Sequence, residues 1–244
     1  MLPFWIALQF LSSLPIRLPG MPTPQEVGRS LLFYPLVGLL IGVILWALNW
    51  LLPGTPSLLH AALLLTAWVL LSGGLHLDGL ADSADAWLGG FGDRERTLTI
   101  MKDPRSGPIA VVTLVLVLLL KFAALLALIE QQHSVALIIA PLIGRGAMLG
   151  LFLTTPYVRP GGLGQALADH LPRLAGMQVL AVSGVACVLV AGLSGVLAVV
   201  LAALVFAWLR HVMLRRLGGT TGDTAGALLE LLEMTVIVCL ALIL

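Results

Sequence analysis

Three aspartates, Asp78, Asp82 and Asp85, fall within a short stretch that follows an apolar run. On a continuing helix their spacing of i, i+4 and i+7 places them within an arc of about 60°, so they share one face. Like charges repel one another there, and acids at the C-terminal end of a helix oppose its dipole. A solvated face explains one such residue better than three. We therefore predict that the three carboxylates bind a divalent cation, and hard oxygen ligands favour Mg²⁺ or Mn²⁺.

A second acidic group, Asp223, Glu230 and Glu233, starts where the last apolar segment begins. Asp223 and Glu230 share a helix face, so we predict that both join the cation site. Five acids in one place would suit two ions, or one ion and a general base. An ordinary helix cap is the alternative role for Asp223. A shared site requires the two helix ends to meet, and a separation above about 15 Å would exclude it.

A turn rich in glycine and threonine precedes Asp223. Such a turn exposes backbone N–H groups at a helix N-terminus and favours an anion such as phosphate. The predicted anion-binding residues are Gly218, Gly219, Thr220 and Gly222.

Two basic residues, Lys102 and Arg105, follow the first acidic face on the next loop. Bases that hold an anion beside acids that hold a cation are the groups that phosphoryl transfer requires. We predict that Lys102 and Arg105 hold the leaving phosphate, and that Asp82 or Asp85 orients or deprotonates the attacking hydroxyl. The alternative is that the loop charges only mark one side of the membrane.

The composition indicates an integral membrane protein, because 59% of the 244 residues are hydrophobic and only 10% are charged. Soluble domains have about 25% charged residues. We expect an all-α, polytopic membrane helix bundle that forms one domain over residues 1–244, with the lipid bilayer around it. We expect no nucleic-acid partner and leave a homo-oligomer open. Cys187 and Cys239 lie in apolar runs and lack disulfide or metal spacing.

Apolar runs predict about seven spans and an interfacial helix over residues 1–14. The predicted spans are residues 31–52, 57–78, 108–129, 135–155, 178–193, 195–210 and 226–244. Because only residues 191–195 separate the fifth span from the sixth, we expect a hairpin there.

The connections between these spans are alternately basic and free of Lys and Arg. The positive-inside rule therefore places the N-terminus in the cytoplasm and the C-terminus outside. The expected cytoplasmic segments are residues 1–30, 79–107, 156–177 and 211–225. The predicted site then faces the cytoplasm. Lys121 and Arg145 remain inside spans, where a functional role competes with snorkelling or with packing against a carbonyl.

Residues 74–85, GLHLDGLADSAD, resemble the signature of the cobalamin synthase family, the adenosylcobinamide-GDP ribazoletransferases. Further blocks resemble that family in the same order along the chain. They are residues 33–38 (FYPLVG), 101–107 (MKDPRSG), 145–146 (RG) and 218–223 (GGTTGD). Ala86 is a departure, since many relatives have Gly there.

The resemblance implies that the 5′-hydroxyl of α-ribazole attacks the cobinamide-linked phosphate of adenosylcobinamide-GDP. GMP leaves and adenosylcobalamin forms, with Mg²⁺ as cofactor; relatives can use α-ribazole 5′-phosphate instead. It also implies that His76 and Arg145, inside the matching blocks, bind substrate or cofactor, and that the protein works in a bacterial inner membrane.

Two other functions compete with this one. A CDP-alcohol phosphotransferase also uses an acidic helix face that begins with Asp-Gly-x2-Ala. Asp82, however, stands where that family has Arg, and the Gly-x3-Asp-x3-Asp pattern that comes next in that family does not follow here. A cation-coupled transporter would place charges near mid-membrane in several spans. It would use Asp78, Asp82, Asp85, Lys121 and Arg145.

Overall fold

The protein is described by a computed structural model that covers residues 1–162 and 164–243. Within those ranges the regular structure is helical, apart from an isolated bridge between Tyr157 and Thr220. The helices are α1 (Leu2–Leu11), α2 (Pro24–Ser30), α3 (Tyr34–Trp50), α4 (Ser57–Ser72), α5 (Leu75–Gly89), α6 (Arg94–Ile100), α7 (Pro108–Glu130), α8 (Ala136–Thr154), α9 (Gly164–Asp169), α10 (Arg173–Leu217) and α11 (Gly222–Ile243). The expected all-α fold class is confirmed.

Within the described residues, five helices are long and apolar enough to cross a membrane, so the chain is a multi-pass membrane protein. They are Pro24–Trp50, Pro108–Glu130, Ala136–Thr154, Arg173–Leu217 and Gly222–Ile243. The first consists of α2 and α3, joined by a 3₁₀ turn at Leu31–Phe33. Helices α4 and α5 add a sixth candidate if a pair bent by 88° is counted as one span. The expected number of seven spans is therefore not confirmed. The final residue of the last predicted span, Leu244, lies outside the described ranges.

Helix α10 contains a break at Gly192, where φ is 57° and ψ is −131°. A side chain at Gly195 would collide with the carbonyl oxygen of Cys187, so the segments before and after the break pack closely against each other. In an uninterrupted helix these two residues would be about 12 Å apart, at 1.5 Å per residue. Both observations agree with the hairpin expected between residues 191 and 195.

Two consecutive glycines end α4 and turn the chain into α5. Gly73 and Gly74 have φ values of 69° and 72°, in the left-handed region that other residues rarely adopt. The predicted span 57–78 is thus wrong at its end, because α4 stops at Ser72 and Asp78 lies in the first turn of α5. Asp78 is therefore stabilised by the dipole of its helix, the reverse of the sequence-based expectation.

Helix α8 forms the centre of the bundle, since nearly its whole length is buried. Side chains at Gly38 and Gly42 of α3 would collide with the backbone of α8 at Pro141 and Ile138. This close approach requires glycine at both positions, as small-residue spacings in membrane helices commonly do. The other face of α8 contacts α11, whose Glu233 side chain lies against Gly144.

The four basic segments meet at one end of the bundle. Gly28 packs on the backbone of His170, and Nε of Arg94 donates to the carbonyl oxygen of Leu217 at 2.7 Å. Nη2 of Arg216 donates to the carbonyl oxygen of Trp87 at 2.9 Å. The expected convergence of these segments is confirmed, while their assignment to the cytoplasm stays a prediction.

The N-terminal segment forms helix α1, as expected. Ala7, Leu8 and Leu11 are buried against the bundle, whereas Trp5 is exposed. The backbone N–H of Ser13 donates to the carbonyl oxygen of Leu71 at 2.9 Å, which attaches the end of α1 to the end of α4. Its location at the membrane interface stays a prediction.

Candidate active site

Helices α5 and α11 cross closely, with a glycine on each helix at the crossing. A Cβ atom at Gly79 would lie 2.8 Å from the carbonyl oxygen of Asp223, and one at Gly226 would lie 3.2 Å from Cα of His76. The helix ends that carry the two acidic groups therefore meet, as a shared site requires. This arrangement places Asp78 and Asp82 beside Asp223.

The carboxylates of Asp78 and Asp82 are accessible and make no polar contacts to other side chains or to the backbone of the described residues. Asp78 is exposed and Asp82 is half-buried. Among the described residues neither carboxylate has a hydrogen-bond or ion-pair partner. The negative charges of Asp78, Asp223 and Asp85 act on Asp82, and the positive charge of Arg159 partly opposes them. Two unpartnered acids on a surface that is already negative favour a cation.

A small cavity of about 90 Å³ lies where α5 and α11 cross. Asp78 and Asp223 line it together with His76, and Met148 and Phe152 of α8 form an apolar side. Carboxylates thus lie at a partly enclosed position lined by α1, α5, α8, α9 and α11, where electrostatic interactions are stronger than in bulk water.

Asp85 has a different environment from the other two acids of its helix. Its Oδ1 accepts a hydrogen bond from the backbone N–H of Ala110 at 2.9 Å, and its Oδ2 accepts another from the N–H of Gly107. These amides belong to the N-terminus of α7, which has no other acid in its first turn. Asp85 therefore caps α7 and ties the loop of residues 101–107 to α5.

The predicted phosphate-binding bases lie on this loop. Lys102 is exposed, and Arg105 forms an ion pair with Asp103 at 2.9 Å, with a second hydrogen bond from its Nε at 3.0 Å. The hydrogen bonds from Arg105 lower the pKa of the Asp103 carboxyl. Met101, next to Lys102, contacts Oγ1 of Thr221 through its sulfur at 3.8 Å. The loop therefore borders both α5 and the turn before α11.

The glycine- and threonine-rich turn is fixed mainly by the protein itself. Gly218, at φ 74°, donates its N–H to Leu214, and Thr220 donates to the carbonyl oxygen of Pro156 at 2.8 Å. Gly219 leaves no room for a side chain against Pro156. Of the four residues predicted to bind phosphate, Gly218 and Thr220 thus use their amides internally. Gly222 is exposed and lines the cavity.

Helix α11 is capped by threonines. Oγ1 of Thr221 accepts from the N–H of Thr224 at 3.2 Å, and Oγ1 of Thr224 accepts from the N–H of Thr221 at 2.9 Å. This reciprocal pair satisfies the helix start, so Asp223 is not the cap residue. Its carboxylate instead lies 2.6 Å from Nη1 of Arg159.

Sequence reasoning missed Arg159 as a site residue. It lies on the loop between α8 and α9, which pairs with the turn before α11 through Val158 and Thr220 at 2.9 Å. The neighbouring Tyr157 is half-buried, and burial raises the pKa of its hydroxyl, so the phenol is neutral at physiological pH. Its only signal in the sequence was a positive charge in the basic segment 156–177. The positive-inside rule already accounted for that charge, so it did not indicate a role in the site.

Four buried charges form a second group, deeper in the bundle. Nζ of Lys121 lies 2.6 Å from Oε2 of Glu230 and 2.8 Å from Oε2 of Glu233, and Nη1 of Arg145 pairs with Oε1 of Glu233. Lys121 also lies 4.8 Å from the centre of the Trp68 ring. We call Lys121, Arg145, Glu230 and Glu233 the buried quartet. Its formal charges cancel.

The quartet separates Glu230 from the predicted cation site. Glu230 is two helical turns beyond Asp223, about 10 Å along α11, and its carboxylate is bound to Lys121. Arg145 is fully buried, and His76, which is 2% exposed, lines the cavity. The buried charges of a transporter are thus present, but each charge in the quartet has an opposite partner.

The donor chemistry at the crossing suits Mg²⁺, which prefers carboxylate oxygens. Within residues 1–162 and 164–243, no three His, Cys, Asp or Glu side chains are arranged closely enough to enclose an ion. Mg²⁺ commonly uses only one or two carboxylates and takes its remaining ligands from water and substrate phosphates. Asp78 and Asp82, with their free oxygens, fit that requirement.

Comparison with known proteins gives one consistent result. The sequence model of the family described as cobalamin-5-phosphate synthase matches residues 3–241. The chain is 82% identical over 242 residues to an adenosylcobinamide-GDP ribazoletransferase of Pseudomonas fluorescens (strain Pf0-1), covering 99% of this chain and 100% of the relative. It is 75% identical over 243 residues to the protein of that name from Pseudomonas savastanoi pv. phaseolicola, covering 100% of both. No solved structure matches.

Proposed function

The chain belongs to the cobalamin-5-phosphate synthase family, and from that membership we propose that it joins adenosylcobinamide-GDP to α-ribazole. A ribose hydroxyl oxygen of α-ribazole bonds to the phosphorus that carries cobinamide. Because a 5′-phosphorylated acceptor keeps its phosphate in the product, this oxygen is not the expected 5′ one. The bond from that phosphorus to the GMP oxygen breaks, GMP leaves with the electron pair, and the hydroxyl proton passes to a base. Adenosylcobalamin is the product, or its 5′-phosphate when α-ribazole 5′-phosphate is the acceptor.

The crossing of α5 and α11 supports this reaction best. Asp78 and Asp82 have free carboxylates, and Asp223 lies against them with its own cationic partner. Mg²⁺ bound by Asp78, with Asp82 as a candidate second ligand, would neutralise phosphate oxygens of the diphosphate. The chain's own contribution is to hold these acids at one partly enclosed position.

The proton of the attacking hydroxyl requires a base at this position. Asp82 is half-buried among three other acids and has no partner among the described residues, so it is the carboxylate best suited to accept a proton. Asp85 already accepts two backbone hydrogen bonds, and Asp223 is paired with Arg159. We therefore assign the base to Asp82 and a structural role to Asp85.

Cationic groups around the cavity would bind the leaving GMP. Lys102 is exposed on the loop that Asp85 attaches to α5, and Arg105 can exchange Asp103 for phosphate because the pair is largely exposed. Arg159 adds a positive charge beside Asp223. The converging basic segments favour a site that opens to the cytoplasm, where reporter fusions near residues 100, 165 and 218 should all give cytoplasmic signals.

The test is turnover by purified, detergent-solubilised protein supplied with adenosylcobinamide-GDP, α-ribazole and Mg²⁺. GMP release should depend on α-ribazole and match adenosylcobalamin formation one for one. Release of GMP without α-ribazole would indicate hydrolysis, and a protein that turns over neither substrate would contradict the proposal. Chelation with EDTA followed by addition of Mg²⁺ or Mn²⁺ tests the metal separately.

A further inference from the structure

His76 is the residue that connects the acidic cavity with the buried quartet. It lies in the first turn of α5, is 2% exposed, and packs against Gly226 of α11. Its side chain lines the cavity together with Asp78 and Asp223. Met148 of α8 lines the same cavity, and Arg145 lies one helical turn before Met148, so this member of the quartet is near His76.

Both ring nitrogens of His76 lack a hydrogen-bond partner among the described residues, and so do Nε and Nη2 of Arg145. A neutral imidazole carries one donor and one acceptor, whereas a guanidinium can only donate. Buried polar groups of this kind are generally satisfied by ordered water, which is held as part of the structure. A water that accepts from Arg145 and donates to the imidazole gives one nitrogen of each side chain a partner.

A direct contact between His76 and a substrate does not fit its burial. The acids that reach the surface are Asp78 and Asp82, which follow it on the same helix, while His76 lies beneath them. Arg145 is 0% exposed and holds Glu233 of α11. A link between His76 and Arg145 therefore fixes α5 relative to α8 and α11 from inside the bundle.

We propose that His76 is a positioning residue, whose imidazole is joined to Arg145 through ordered water and holds the start of α5 against α11. The bridge sets the distance between Asp82 and Asp223, and so the geometry of the cavity. This inference rests on the proposed function for its kinetic consequences. It is an alternative to the expectation that His76 and Arg145 bind substrate or cofactor, which stays a prediction.

The test compares His76→Phe, which keeps a ring and deletes both nitrogens, with His76→Gln, which retains one donor and one acceptor. His60→Phe is the matched control, because His60 is also buried with an unpartnered Nε2 but lies in α4 near Pro53 and His133. In the His76→Phe protein kcat should fall about tenfold to a hundredfold, as for a misplaced catalytic group. The KM values should stay within about twofold.

His76→Gln should recover most of the lost kcat, and His60→Phe should leave it unchanged. A rise in KM with unchanged kcat would identify His76 as a substrate ligand and overturn the proposal. If the loss of kcat in each variant is proportional to its loss of thermal stability, His76 has only a packing role, which would also overturn the proposal. If His76→Phe fails to fold, Arg145→Lys keeps the charge and removes Nε and one Nη, and an unaltered kcat there would also contradict the bridge.

Hydrogen–deuterium exchange in α5 provides a readout that does not need turnover. Amides of residues 75–89 should exchange faster in the His76→Phe protein than in the His76→Gln protein or the control. Equal exchange in all three would overturn the proposal. Absence of turnover in the unmodified protein would count against the proposed reaction alone, since the exchange comparison stands without it.

Discussion

Nη1 of Arg159 lies 2.6 Å from Oδ2 of Asp223, and this pair joins the loop after α8 to the first turn of α11, 64 residues further along the sequence. Both side chains are partly accessible, with 27% and 20% of their side-chain surface exposed. The pair lies beside the cavity where α5 crosses α11. Arg159 therefore controls the charge of Asp223, and with it the balance of charge at the candidate site.

Arg159→Ala is expected to weaken binding of the diphosphate substrate at the candidate site. Without the guanidinium, Asp223 adds an uncompensated charge to Asp78 and Asp82, so the diphosphate should bind less well. We expect kcat/KM for adenosylcobinamide-GDP to fall about tenfold or more, since a charged hydrogen bond contributes about 1.5–3 kcal/mol. Arg29→Ala, at an exposed arginine, is the control. Steady-state assays that show equal values for both variants would remove Arg159 from the site.

Asp82→Asn is expected to abolish most turnover while the protein folds normally. It removes a charge from a repelling group, so stability should be unchanged or slightly higher, whereas the base and one candidate metal ligand are lost. We expect kcat to fall by about two orders of magnitude or more. Asp169→Asn at the exposed end of α9 is the control.

Binding of Mn²⁺ measured by electron paramagnetic resonance distinguishes the two roles of Asp82. Weaker Mn²⁺ binding in the Asp82→Asn protein would indicate a ligand, and unchanged binding with lost turnover would indicate a base alone. Full activity at saturating Mg²⁺ would contradict both roles.

Asp85→Ala is expected to destabilise the protein and loosen the loop of residues 101–107. The substitution leaves the amides of Gly107 and Ala110 without their acceptor, which costs about 1–2 kcal/mol for a lost helix cap. Asp85→Asn keeps an acceptor oxygen and should lose less. The thermal unfolding midpoint of the two variants measures this difference. If Asp85→Asn abolished turnover at full stability, Asp85 would act in the chemistry after all.

Lys102→Ala and Arg105→Ala are expected to affect the two substrates unequally. A diphosphate requires cationic partners and a nucleoside does not, so KM should rise for adenosylcobinamide-GDP more than for α-ribazole. Arg96→Ala, on α6 beside the ring of Phe91, is the charge-matched control. Initial-rate measurements with each substrate varied in turn give the comparison. An equal loss for both substrates would indicate a structural role for the loop.

The acidic face of α5 and its meeting with α11 were predictable from the sequence. The spacing of Asp78 and Asp82 gave one helix face, and the alternation of basic connections brought residue 79 and residue 223 to the same end of the bundle. The first inference depends on helical periodicity and the second on the positive-inside rule. Neither requires any information about how the helices pack.

The partners of the other acids were not predictable in this way. Asp85 is bound by backbone amides 22 and 25 residues away, and an amide leaves no signature in the sequence. The spacing from Asp223 assigned Glu230 to the cation site. In the structure its carboxylate is instead paired with Lys121, which is 109 residues away in the sequence. The bend at Gly73 and Gly74 did have a signal, namely two adjacent glycines inside an apolar run, and hydropathy alone obscured it.

The net charge of the buried quartet can be changed by one unit at a time through single substitutions. Its contribution to stability can therefore be tested directly. Lys121→Met removes the cation that Glu230 and Glu233 share and leaves an excess negative charge among α4, α7 and α11. Breaking a buried pair in this way costs about 3–5 kcal/mol. The double variant Lys121→Met/Glu230→Gln restores neutrality, since Arg145 still balances Glu233. The thermal unfolding midpoint in detergent should therefore drop for the single variant and largely recover in the double variant. If the double variant is no more stable than the single one, the ion pairs themselves, rather than the balance of charge, hold these helices together.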